Sequence, residues 1–180
     1  MSKLKKAWNF IWHSNSIWSW IINIILAFLI VKFLIYPGLG LILGTTHPVV
    51  AVVSNSMQHD QGFEEWWNEN KEWYLSHNIK EEDFKNFAMK DCFSKGYIIV
   101  LKSAKDISIG DIIVFEGNSN NPIIHRATSL EPLQTKGDNN PNQFPSLGET
   151  NINRGEVIGK AVFKIPLLGW VKIGFTNLIN

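Results

Sequence analysis

From residue 17 to residue 36 the chain is almost unbroken in apolar side chains: Ile-Trp-Ser-Trp-Ile-Ile-Asn-Ile-Ile-Leu-Ala-Phe-Leu-Ile-Val-Lys-Phe-Leu-Ile-Tyr. About 20 residues make a helix of roughly 30 Å, which matches the hydrocarbon core of a bilayer. Lys32 is the one charge, about one turn from the end, where its stem reaches the headgroups. The run is too long for the apolar part of a cleaved signal peptide, and Pro37-Gly38-Leu39-Gly40 offers no small-x-small cleavage site. The pattern therefore predicts a retained anchor. Pro37 is expected to end the helix, with Gly38, Gly40 and Gly44 punctuating a short linker. Lys3, Lys5 and Lys6 favour a cytoplasmic N-terminus. That places residues 1–16 inside, 17–36 in the membrane and 37–180 on the outer side.

After the linker the period changes. His47 to Met57 is a β-branched run that predicts a buried strand ending on Ser54-Asn55-Ser56-Met57. Residues 62–93 differ from what flanks them. Phe63, Trp66, Trp67, Trp73 and Tyr74 recur at helical spacing among Glu64, Glu65, Glu69, Lys71 and Glu72, and a second helix is expected from Lys80 to Met89 with Phe84 and Phe87 inward. This segment is expected to be a helical insertion, its stripe at this spacing favouring a cap packed on a β core over an aromatic platform at the membrane or above a substrate groove. Strands are predicted at 97–101, 111–115, 123–128, 133–136, 155–165 and 170–173, separated by Gly, Asn and Pro clusters, with 139–148 a loop. The expected class is mainly β (α+β overall): a small antiparallel β domain, one N-terminal transmembrane helix and the helical insertion.

Composition narrows the function. Lys+Arg 17 against Asp+Glu 16 leaves a net charge of +1, without the basic footprint that nucleic-acid binding needs. The chain is 45% hydrophobic with 8 Trp and 11 Phe, which suits membrane contact or aromatic-rich packing. The single Cys92 excludes an intrachain disulfide and a Cys-cluster zinc or iron–sulfur site, and is expected in the core. No H-x-x-x-H or H-E-x-x-H spacing occurs, so neither a metal nor a cofactor is expected.

A serine hydroxyl needs a base to take its proton and donors for the oxyanion. Ser54 and Ser56 alternate, so a continued strand points both hydroxyls the same way. His125, in Ile123-Ile124-His125-Arg126, lies in or beside a strand; His13, His47, His59 and His77 are weaker candidates. Asp138, in Lys136-Gly137-Asp138-Asn139-Asn140, and Asp111, after Gly110, both fit turns.

Five segments in order resemble type I signal peptidases of the archaeal and endoplasmic-reticulum kind, which pair serine with histidine. They are Val52-Val53-Ser54-Asn55-Ser56-Met57, Gly110-Asp111-Ile112-Ile113-Val114-Phe115, Ile124-His125-Arg126, Lys136-Gly137-Asp138-Asn139-Asn140 and a closing segment from Ile158 to Trp170. The resemblance implies Ser56 as nucleophile, His125 as general base, Asp138 as the acidic partner, and an oxyanion hole from Ser54 and the Ser56 amide. The family often carries a second aspartate about half a dozen residues after Gly-Asp-Asn. Here that region is Pro141-Asn142-Gln143-Phe144, and Glu149 is the candidate second acid. The implied activity is signal-peptide removal after small-x-small sites. The implied partners are secretory precursors and the lipid bilayer, with the protein translocation machinery as a candidate and no nucleic acid. The implied place is a cell or endoplasmic-reticulum-like membrane. Two alternatives stand beside it: a self-cleaving serine–lysine peptidase of the phage-repressor type, and a catalytically inactive membrane-anchored subunit that holds a partner on Trp66, Trp67 and Trp73.

Overall fold

The computed structural model describes residues 2–179; Met1 and Asn180, the outer ends of the expected cytoplasmic and peptidase segments, lie outside the described residues. The chain divides after Ile42 into two units. In the first, α1 (Lys3–His13) is capped by Ser2, and α2 (Ile17–Ile30) by Ser16, whose side chain accepts from the Trp18 amide. Ser19 Oγ donates to the carbonyls of Phe10 (2.7 Å) and Ile11 (3.1 Å), and Asn23 Nδ2 to Ile11 (2.8 Å). The two polar residues of α2 thus satisfy carbonyls that the end of α1 leaves without intrahelical partners.

Pro37 does not end the helix. A π-helical stretch, Val31–Ile35, leads directly into α3 (Tyr36–Leu43), so the apolar helix runs Ile17–Leu43, 27 residues, long and apolar enough to cross a membrane. The Tyr36 amide reaches back to the Val31 carbonyl. A wide turn of this kind, just ahead of a proline, makes room for its ring and absorbs its missing N–H. The expected linker is therefore mostly helix.

The second unit is built on a six-stranded, wholly antiparallel sheet: β1 (Val49–Ala51), β2 (Ile98–Lys102), β3 (Ile112–Phe115), β4 (Ile123–Leu130), β5 (Leu133–Lys136) and β6 (Val157–Ile165), in the order β1-β2-β6-β3-β4-β5. The expected mainly β architecture with a helical insertion is borne out. Both faces of the sheet's centre are buried. Ile112, Val114, Leu101 and Ala161 pack with Val52, Met57, Cys92 and Phe93 on one side, while Ile113, Phe115, Ile123 and Ala127 pack with Leu133 and Ile152 on the other. Alternation along β3 and β4 sends successive residues to opposite cores.

The insertion holds α4 (Phe63–Ser76) and α5 (Glu81–Lys85). Its stripe is core, as expected: Phe63, Trp66, Trp67, Tyr74, Ile79 and Phe84 form one buried aromatic cluster, with Trp73 and Phe87 against it. The second helix stops at Lys85 rather than Met89. Beyond it Met89 is left-handed (φ 52°), and Arg126 takes the carbonyls of Ala88 (3.1 Å) and Met89 (3.3 Å) that a longer helix would have used internally. Residues 170–173 are not a strand but part of a helix, α6 (Gly169–Ile179). The turn into it is tertiary: Leu167 is left-handed and the Gly169 amide bonds to the Gly96 carbonyl at 2.9 Å.

Candidate active site

The predicted strand at 47–57 is shorter than expected. β1 ends at Ala51, and Ser54 to Met57 form a turn closed by Gln58 N donating to Asn55 O (3.0 Å). Tertiary contacts hold this turn in place. Met57 is buried in the core, Asn55 Oδ1 accepts from the Lys95 amide (3.1 Å), and Asn139 N and Nδ2 donate to Ser56 O (2.8 Å) and Asn55 O (3.2 Å). Ser54 Oγ lies 3.2 Å from Ser56 Oγ even though no strand carries them. Both serines line a cleft of about 350 Å³ shared with Ala51, His125, Asn140 and Phe144.

His125 sits on β4 opposite Ile113 and is buried, with Nε2 2.9 Å from Ser56 Oγ. Its Nδ1 is bonded to Glu149, which is wholly buried. Glu149 reaches the ring because residues 143–149 fold back onto β5. The Thr135 amide donates to Glu149 O (2.9 Å), Gln143 Nε2 donates to Thr135 O (2.9 Å), and the second Glu149 carboxylate oxygen accepts from the Phe144 amide. A left-handed Gly148 (φ 85°) makes the reversal.

Asp138 is not on the imidazole. Its carboxylate faces the opposite core, where Arg126 binds both oxygens (Nε 3.1 and 3.0 Å, Nη2 2.7 Å), Tyr74 Oη donates at 3.0 Å and Cys92 Sγ at 2.9 Å. Both nitrogens of His125 are meanwhile taken, by Ser56 and Glu149. The reason is the strand period. His125 and Arg126 are consecutive, so they point to opposite faces, and each meets a different acid. Burial alone would raise the Asp138 carboxyl; the Arg126 guanidinium, together with His59, outweighs it and holds the group below the ordinary carboxylate range. Burial, with the Asp138 charge beside it, pushes the Cys92 thiol and the Tyr74 phenol well up, so both stay protonated donors.

Gly137 joins the two faces. A Cβ there would lie 2.7 Å from His125 Nε2 and 2.8 Å from Ser56 O, so only glycine permits the approach. Beside it, Lys136 Nζ is buried, donates to Gly137 O (3.1 Å) and lies over the rings of Trp73 (5.1 Å) and Tyr74 (4.8 Å). Burial lowers its pKa to about 8. Asp111 is a turn residue as expected, accepting from Ser108 N (2.8 Å) and Lys160 Nζ (2.7 Å).

Among the described residues, His59, Cys92 and Asp138 have ligand atoms within 4.8 Å of one another. Arg126 Nη2, 2.7 Å from the Asp138 oxygen and 3.4 Å from Cys92 Sγ, already supplies the positive charge a metal ion would bring. His59 stacks on Trp66 (3.8 Å, 10°) with Nε2 3.3 Å from Asp138 Oδ2. The parts missed from sequence are Arg126, Tyr74, His59 and the polar use of Cys92. For Arg126 the signal was available, since a His-Arg pair on a strand must serve two faces.

The chain is 26% identical over 154 residues to the signal peptidase complex catalytic subunit SEC11 of Colletotrichum graminicola, covering 78% of this chain and 71% of that protein. It is 27% identical over 162 residues to SEC11 of Komagataella phaffii (81% and 76%). A shorter match, 33% over 99 residues, is to sec11 of Pyrenophora teres f. teres (48% and 57%). This chain is similar to signal peptidase catalytic subunits. The resemblance drawn from its motifs is thereby borne out. No protein-family model matches the chain.

Proposed function

We propose that this protein is a membrane-anchored serine endopeptidase that removes signal peptides from secretory precursors after small-x-small sites. The observation that carries the reading is a buried imidazole with one nitrogen 2.9 Å from the Ser56 hydroxyl at a cleft and the other on a buried carboxylate. Glu149 accepting from Nδ1–H leaves Nε2 as the acceptor for the Ser56 O–H, the tautomer a general base needs. Ser56 Oγ attacks the scissile carbonyl and its proton passes to His125 Nε2. The Ser56 amide and the Ser54 hydroxyl donate to the oxyanion. The imidazolium returns the proton to the leaving amine, and water then releases the acyl-enzyme by the same path in reverse. Glu149, rather than Asp138, keeps the ring oriented and stabilises its charged form.

The relatives named as signal peptidase complex catalytic subunits support this substrate class, and the 27-residue apolar helix Ile17–Leu43 supports a membrane anchor. In this reading the basic residues before the helix stay cytoplasmic and the sheet works on the outer or lumenal side, with the bilayer concentrating enzyme and substrate. Further subunits and the translocation machinery are the partners this reading implies. A serine–lysine mechanism has less support. Lys136, the buried lysine beside the site, spends its ammonium on the Gly137 carbonyl and on aromatic rings. An inactive subunit is disfavoured because Glu149 fills the place of a missing acid.

The test uses the full chain in detergent or liposomes with a precursor bearing Ala-x-Ala before the cut. Ser56→Ala should lower cleavage by on the order of 10⁴–10⁶. Cleavage that survives the change removes Ser56 as nucleophile.

A further inference from the structure

The helical insertion grips the loop that carries Asp138. Trp66 Nε1 on α4 donates to the Asp138 carbonyl (3.1 Å), and Tyr74 Oη donates to the Asp138 carboxylate (3.0 Å). The rings of Trp73 and Tyr74 cover Lys136 Nζ, and the Phe84 ring lies 4.6 Å from the Arg126 guanidinium carbon. Arg126 and Lys136 are directly opposed in the β4–β5 ladder, so two cations share one buried face. Like charges so placed repel unless something compensates. Asp138 supplies the anion and the insertion supplies the π-faces. What the loop does on its other side is what matters for chemistry. Gly137 abuts His125 Nε2 and Ser56 O, and the Asn139 amide bonds Ser56 O at 2.8 Å. A shift of residues 137–139 therefore moves the serine relative to the imidazole.

We propose that Tyr74 and Trp66 are positioning residues: through the Gly137-Asp138-Asn139 loop they hold Ser56 and His125 in reacting register. The insertion would then be part of the catalytic apparatus and not only a cap. This rests on the serine-peptidase reading above. Neither residue reaches the cleft, so they act on the turnover step and leave substrate binding alone.

Tyr74→Phe keeps the ring over Lys136 and removes one donor, and Trp66→Phe removes the other. In the full chain, at a temperature well below melting, each should lower kcat about tenfold, the worth of one buried hydrogen bond, with KM unchanged. Ile79→Val, in the same cluster but without a bond to the loop, should lower the melting temperature and leave kcat alone. Hydrogen exchange at the Asn139 amide reads the same coupling without turnover and should quicken in both loop variants. If wild type cleaves through Ser56 while Tyr74→Phe and Trp66→Phe keep full kcat, or Ile79→Val loses as much, the positioning role is wrong and the peptidase reading stands. If wild type does not cleave through Ser56, the peptidase reading fails. Unchanged Asn139 exchange in the loop variants would then show that the insertion does not hold the loop either.

Discussion

Residues 125 and 126 put two acid–base pairs back to back on β4, and they are used in opposite ways. The His125 side is economical: one ring nitrogen on Glu149, the other on a hydroxyl at the cleft. The Arg126 side is saturated. Its guanidinium binds both Asp138 oxygens and the carbonyls of Ala88, Met89 and Gly110, and is wholly buried. A pair that keeps one polar atom for an incoming group can do chemistry. A pair with every donor spent holds the fold. The two carboxylates, Glu149 and Asp138, are alike in type, and their roles follow from which face of the strand they meet.

Neutralising each of these acids in turn breaks the comparison most sharply. Glu149→Gln should lower the cleavage rate by about 10⁴, the loss expected when an imidazole is deprived of its orienting carboxylate. Asp138→Asn should instead destabilise by about 3–5 kcal/mol, because it leaves the Arg126 charge buried without a counterion. It should change the rate per folded molecule far less. Rates on the native fraction, read beside denaturant melts, separate the two, and the reverse pattern would restore Asp138 as the acid partner of His125. The sign of the pH effect follows from Asp138 being held below its ordinary value of 3.8. The stability it lends is full above that value and is lost as pH falls below it, so the acid limb of wild-type stability should shrink in Asp138→Asn.

A smaller effect is expected where the faces meet. Gly137→Ala puts a methyl 2.7 Å from His125 Nε2 and 2.8 Å from Ser56 O, and should cost about 10² in kcat through misplacement of the pair. Unchanged kcat would mean that the loop has slack. The smallest concerns Lys136, whose pKa is lowered from 10.5 to about 8. Between those values the unfolded chain binds the extra proton, so the contribution of Lys136 to stability should rise with pH from about 8 to 10.5, against an opposite slope from Cys92 and Tyr74 that wild type and Lys136→Met share. Lys136→Met should remove that rise; equal pH slopes in the two proteins would place the lysine in water.

Much of this molecule was legible along the chain. Strands β2 to β6 match the predicted segments to within two residues at each end, and β3, buried on both faces, is continuously apolar. The aromatic stripe of the insertion was legible as core from its spacing alone. Local readings failed where geometry was settled elsewhere. Pro37 was absorbed by a π turn, and the short apolar run after Gly169 became a helix once its entry was pinned to Gly96. Four residues are too few for period to decide between strand and helix.

The sequence by itself determined the apolar helix, the β core and the presence of a serine, a histidine and two acids in the stretches where they occur. Only the tertiary structure decided which acid serves which base. That choice depends on the alternating faces of one strand and on a loop from residue 143 to 149 folding back, and neither is written in the spacing of the motifs. A carboxylate's role is set by what stands within about 3 Å of it, and the chain reaches that distance only when folded.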